Sequence, residues 1–292
     1  MTASIPLLPG IGPLIGEYDA VIIDLWGVVH DGVKLYPGVA DCLRKLAESG
    51  KPYGMLTNAP RRAAAIADSM EQMGLPRELY PVIMSSGEAT WLGLRERHEA
   101  VFDGVGTACY HIGPERDRNL FDGQDMTNVA DIDAADLIVN TGPWLDEETV
   151  EDYAPVLDRG AARDVPMICA NPDLEVIRGG KRIICAGMLA KYYEEKGGRA
   201  LYYGKPYAPI YRTCLRMIGD PSPARVLAIG DSLRTDIAGA AEMGIDSLLV
   251  VGGIHGEEFG LGGPLAETES KIGAACAAQG LSPRAAIAGL SW

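Results

Sequence analysis

The feature that most constrains this chain is an alternation of short, wholly apolar runs with helical patterns. Ala20–Ile23 reads AVII, and Tyr53–Leu56 and Arg225–Ile229 read as two more buried strands. Strands without polar alternation are covered on both faces, which parallel sheets flanked by helices provide. Val39, Cys42, Leu43 and Leu46 recur at helical spacing between the first two runs, and Gly50 supplies a stop. Strand, helix and strand in succession make a βαβ unit and imply a parallel sheet. Ile66, Met70 and Met73 mark a second helix before Gly74, and Pro81–Met84 a further strand. Ser85-x-x-Glu88 has the spacing of a capping box opening a helix that runs to His98. The pattern resumes after Arg225–Ile229 with a helix on Ile237, Ala240, Ala241 and Met243, stopped by Gly244, and a strand Ser247–Val251.

Between these blocks lie strands of their own: Thr107–Ile112, Leu137–Asn140 and Val165–Ala170, with Leu201–Tyr203 leading out. The sequence therefore predicts an α/β fold, a parallel-sheet core interrupted by a smaller α/β domain. The core takes residues 1–94 and 200–292, the insert 95–199, and the last ~28 residues read as a surface helix and tail. A chain of 292 residues suits that division. Its 47% hydrophobic content excludes intrinsic disorder. A net charge of −14 with no dense Lys/Arg cluster repels phosphate backbones and argues against nucleic acid. No apolar run approaches the ~18 residues that span a bilayer. The N-terminal MTASIPLLPG lacks the basic start of a signal peptide, so a soluble cytoplasmic protein is expected. No pair of the six cysteines is spaced C-x-x-C, which points to small buried hydrophobes in a reducing compartment.

In open α/β sheets ligands bind beyond the carboxyl ends of the strands. AVII is followed there by Asp24, YGML by Thr57 and Asn58, and VLAIG by Asp231 and Ser232. Lys205 lies in YYGKP. Two carboxylates and a lysine can hold a hard divalent cation and a phosphate together. Each residue also has a plainer reading. Asp24 and Asp231 can cap a turn or helix, Thr57–Asn58 can form a turn, and Lys205 can be a solvated surface lysine. All four in this order on one scaffold favour the functional reading.

DLWGVVHDG at 24–32, LTNAPRR at 56–62, GKP at 204–206 and IGDSLRTDIAGA at 229–240 resemble the four motifs of the haloacid dehalogenase (HAD) superfamily. The insert is similar in size and position to the C2-type cap of subfamily IIA, which includes nitrophenyl-phosphatase-like and pyridoxal-phosphatase-like enzymes. SSGEAT at 85–90 and NPD at 171–173 fit the same pattern. The resemblance implies a Rossmann-like core and a Mg²⁺-dependent phosphatase acting on a small phosphorylated metabolite. It makes Asp24 the nucleophile that forms an aspartyl-phosphate. Thr57 and the Asn58 amide would hold phosphoryl oxygens, and Lys205 would neutralise charge shared by Asp24 and phosphate. Mg²⁺ would be bound by Asp24, Asp231 and the backbone carbonyl of Trp26, with Asp236 supporting the site from behind.

Trp26 departs from the family pattern, which places a second Asp there as general acid and base. An indole donates hydrogen bonds but carries no transferable proton near neutral pH. His30, on a long loop that the resemblance makes a flap, could supply the missing acid or base; with Asp31 it could equally shape a turn before Gly32. His255 lies near the same edge and reads more simply as a loop histidine. Asn171 and Asp173 would face the substrate, or else form an Asx turn. Pro172–Ile177 would then influence substrate choice. Two classes of function follow: a phosphatase, or a HAD-fold protein that binds Mg²⁺ and phosphate with little hydrolysis because Trp26 stands in the acid's place.

Overall fold

A computed structural model describes residues 4–178, 181–252, 259 and 261–292. It divides into two compact units. The first comprises Met1–Thr57, Ile66–Met84 and Tyr211–Trp292; the second comprises Asn58–Ala65 and Ser85–Ile210.

The first unit is built on a sheet of order Leu7–Leu8, Ala285–Ile287, Asp246–Val250, Val226–Gly230, Ala20–Ile23, Tyr53–Thr57, Ile83–Ser85. From Leu7–Leu8 across to Tyr53–Thr57 every pair is parallel. Ala20–Ile23 and Val226–Gly230 are buried along their whole length, as their unbroken apolar sequence requires. The chain winds outward from Ala20–Ile23 to one side and later from Val226–Gly230 to the other. Strand order therefore reverses between these two, the place where doubly wound sheets open a crevice. Register pairs Ile23 with both Ile229 and Met55, so the carboxyl ends of three strands finish level. The helix Val39–Glu48 buries Val39, Cys42, Leu43 and Leu46, the four positions its spacing selects.

The carboxyl-terminal expectation needs correction. Ala285–Ile287 is a fully buried strand inside the sheet, between Leu7–Leu8 and Asp246–Val250. Ile272 and Cys276 of the helix Leu265–Ala278 pack with Leu233, Ile237, Leu249 and Ala286. What reads as a surface tail is sheet and core. A run of alanines carries no period-2 signal, and alanine favours helix over strand.

The second unit holds a five-stranded parallel sheet of order Ala200–Tyr202, Met167–Cys169, Leu137–Asn140, Ala108–Ile112, Thr127–Asn128. Its core joins Ile138 and Met167 of the sheet to Tyr153 and Leu157 of helix Val150–Ala162 and to Leu189 and Tyr193 of helix Ala186–Glu195. Glu175–Arg178 and Lys181–Ile184 form an antiparallel pair. The helix Ser86–Glu96 begins where the capping signal places it, and Ser85 Oγ accepts the Glu88 N–H at 2.9 Å. The reciprocal half of the box is not used. The Glu88 carboxylate instead takes Arg62 Nε at 2.7 Å and the Ala63 N–H at 3.0 Å, tying segment 58–65 to this helix. All six cysteines are buried thiols. Among the described residues no helix is long and apolar enough to cross a membrane.

Candidate active site

Asp24 and Asp231 are each placed by the end of a strand. Asp24 follows Ile23, and its N–H donates to the Ile229 carbonyl at 2.8 Å, joining the ends of the two central strands. Asp231 follows Gly230. Asp236 lies on the wide π-helical turn Leu233–Ile237, where the Ser232 N–H donates to its Oδ2 at 3.1 Å. Asp24, Asp231 and Asp236 are all buried, and each offers an oxygen within 4.8 Å of the others. Three carboxylates that close together in a low-dielectric setting repel one another unless a cation or a proton intervenes. Hard, buried oxygen donors of this number fit Mg²⁺. Gly27 reinforces that fit. It sits at φ +83°, and a Cβ there would lie 2.0 Å from Asp231 Oδ2, so only glycine lets the loop close over this carboxylate. Thr57 is buried at the end of Tyr53–Thr57, the strand beside Ala20–Ile23.

The loop after Asp24 is a knot of short bonds. Trp26 and His30 form an isolated bridge, and the Gly27 N–H donates to the His30 carbonyl at 3.0 Å. The indole meets the imidazole edge-on, with ring centroids 5.8 Å apart at 77°. Gly32 lies against the indole, where a Cβ would come within 2.3 Å of Trp26 Cη2. His30 is buried, and its Nδ1 accepts the Gly32 N–H at 3.0 Å. That bond places the ring proton on Nε2 and leaves the neutral imidazole no free lone pair. Burial, opposed only in part by Asp31, also holds its pKa below the ordinary value. Of the two roles weighed for His30, this bond matches the turn-shaping one: its ring nitrogen fastens the turn before Gly32. Asp31 Oδ1 accepts the Val33 and Lys34 N–H groups, both at 2.9 Å, which holds its carboxyl below the usual range. Tyr36, unremarked in the sequence, has its phenol pushed up by burial and by the Asp31 and Asp231 carboxylates. It is a poor proton donor.

A second group of expected residues lies in the other unit. Lys205 is buried, and its N–H donates to Asn58 Oδ1 at 2.7 Å. Asn58 Nδ2 donates to the Lys205 carbonyl and to Asp173 Oδ1, each at 3.0 Å. Ser86 Oγ donates to Asn58 Oδ1 at 3.4 Å. Asn171 Oδ1 accepts the Asp173 N–H at 3.1 Å, the Asx turn weighed above. The structure thus brings Asp24, Asp231 and Asp236 together, and separately Asn58, Asp173 and Lys205. Asn171 and Asp173 are engaged in building the loop around Asn58. His255 lies outside the described residues. Gly27 and Ser86 were not singled out; a glycine three residues past a strand-end acid was the available signal for the first.

Comparison with known proteins agrees with this geometry. The family model for haloacid dehalogenase-like hydrolases matches residues 21–127, and a HAD-hydrolase-like model matches 202–267. A solved haloacid dehalogenase-like hydrolase from Brucella suis 1330 is 35% identical with a TM-score of 0.81, covering 97% of this chain and 100% of that one. Rat (Rattus norvegicus) chronophin is 26% identical over 84% of this chain and 80% of its own length. Ribonucleotide monophosphatase NagD of Escherichia coli K12 is 26% identical over 80% of this chain and 88% of its own. On the strength of the Brucella relative, the chain belongs to the haloacid dehalogenase-like hydrolase family.

Proposed function

We propose that this chain is a Mg²⁺-dependent phosphatase of the subfamily IIA type that hydrolyses a small phosphorylated metabolite through an aspartyl-phosphate. The observation that carries this reading is the buried Asp24–Asp231–Asp236 cluster at the strand-order reversal. The names of relatives such as ribonucleotide monophosphatase and glycerol-3-phosphate phosphatase support the phosphoryl chemistry.

Asp24 acts as nucleophile: its carboxylate attacks phosphorus, the bond to the leaving oxygen breaks, and water then hydrolyses the acyl phosphate. Splitting the reaction in this way replaces one difficult displacement by two easier ones. Asp24 and Asp231, with the Trp26 carbonyl, would hold Mg²⁺, which supplies positive charge to a group moving between two anions. Asp236, fixed by the Ser232 N–H, keeps Asp231 and the turn in place. Thr57 and the Asn58 amide bind phosphoryl oxygens, and Lys205 balances charge on phosphate and Asp24. The 95–199 segment serves as cap and closes around the part of the substrate beyond the phosphate.

The test is phosphate release over a panel of phosphorylated metabolites with Mg²⁺ and with chelator. Mg²⁺-dependent release is expected; none across the panel contradicts the reading. Calorimetric titration adds an independent check. Asp231→Ala should abolish Mg²⁺ binding, and unchanged affinity would remove Asp231 from the metal site. Trp26 favours a second reading, a protein that binds Mg²⁺ and phosphate but turns over little. Binding without release from any phosphoryl donor would select it.

A further inference from the structure

The loop after Asp24 bears directly on which phosphate compounds the site can cleave. Breaking the bond from phosphorus to an alkoxide requires a proton for the leaving oxygen, and a positioned donor is worth roughly 100- to 10,000-fold. Leaving groups that are stable as anions need none. Three side chains on this loop, Trp26, His30 and Asp31, come into question as donors, and each is engaged within the loop itself. Trp26 presents an indole that has a hydrogen bond to give but no proton to transfer. The fold is built around it: His30 meets its edge and Gly32 is cut away beneath it. His30 spends its Nδ1 on the Gly32 N–H. Asp31 Oδ1 is engaged by the two backbone N–H groups of Val33 and Lys34. Seating the indole in this way makes it a shaped part of the loop rather than a gap where a carboxylate is missing.

We propose that Trp26 sets the substrate class: the site cleaves phosphoryl donors whose leaving group departs as a stable anion, acyl phosphates above all, and discriminates against alkyl phosphate monoesters. The inference rests on the phosphatase reading above. In the first step Asp24 Oδ bonds to phosphorus and the bond to the leaving oxygen breaks. The electron pair goes with a carboxylate, which takes no proton. In the second step water bonds to phosphorus, the pair of the broken P–O bond returns to Asp24, and the water's proton passes to phosphate or solvent. A carboxylate leaving group needs no proton from this loop, whereas an alkoxide finds none to take from Trp26.

The experiment measures kcat/KM of the full chain with Mg²⁺ over acetyl phosphate, nitrophenyl phosphate, phenyl phosphate and glycerol phosphate. The expected result is a steep fall along that series, about 100-fold or more between the first and last members. Trp26→Asp should raise glycerol phosphate turnover by roughly 100-fold and acetyl phosphate turnover far less. Trp26→Phe, which keeps an aromatic ring without an acid, should retain the steep fall. The wild-type slope decides the matter even where Trp26→Asp fails to fold. A flat series, with all donors cleaved alike, overturns the inference and leaves the phosphatase reading standing. No turnover of any donor, acetyl phosphate included, overturns the phosphatase reading itself.

Discussion

At the scale of single residues, the acids were legible because strand ends are legible. Asp24 and Asp231 each terminate a run of buried apolar residues, and the strand-order reversal sets those two ends side by side. What those positions need around them was not legible. Gly27 reads as one glycine among 36, yet its φ of +83° and its contact with Asp231 leave no room for a side chain. Gly27→Ala forces a left-handed residue, worth about 1–2 kcal/mol, and drives a methyl into the carboxylate. We expect a lower melting temperature together with a loss of Mg²⁺ affinity measured by calorimetry. Unchanged Mg²⁺ affinity would show that the close packing on Asp231 is immaterial to the site. His30 is the opposite case. Its residue type suggests proton transfer, and only the bond from Gly32 shows that its nitrogen is already committed. No sequence pattern carries that information, because it depends on how the loop doubles back.

At the scale of elements, buried parallel strands declared themselves and the strands built from other material did not. AVII and VLAIG have nothing polar to place in solvent, so both sheet faces must be covered. Ala285–Ile287 hides in an alanine-rich stretch, and Glu175–Arg178 with Lys181–Ile184 hides among charges. The strand Ala108–Ile112 carries a further consequence. His111 is buried on it, bonded through Nε2 to Thr141 Oγ1 at 3.1 Å, and burial, aided by the Arg118 charge, lowers its pKa to about 4. The unfolded chain, with an ordinary value near 6.5, binds this proton first as pH falls. Its contribution is therefore complete above about pH 6.5 and is lost progressively down to about pH 4. Between pH 7 and pH 4.5 the loss amounts to roughly 2–3 kcal/mol. Denaturant unfolding of wild type and His111→Asn at both pH values isolates it. Wild type should lose more stability on acidification than the variant; equal losses would show that His111 does not resist protonation.

At the scale of the whole molecule, the sequence reading assigns Asn58 and Lys205 to the core at 1–94 and 200–292, and the compact units divide the chain differently. One α/β unit bears the carboxylate cluster, and a second, with its own parallel sheet, bears Asn58, Asp173 and Lys205. The choice of substrate was not legible, because loops that recognise the remainder of a metabolite carry no portable motif. Substitutions across Pro172–Ile177 should change relative activity within a panel of phosphorylated metabolites by tenfold or more, while leaving nitrophenyl phosphate hydrolysis within a few-fold. A uniform fall on all substrates would make the segment a structural support instead. The central claim, that Asp24 becomes covalently phosphorylated, is tested most directly by mass. The protein is mixed with acetyl phosphate and Mg²⁺, quenched in acid within the first turnover, and mapped as peptides. The account predicts a single added phosphoryl group on the peptide containing Asp24, absent from a folded Asp24→Asn variant that also fails to turn over. Turnover without that adduct, or persisting in Asp24→Asn, would contradict it.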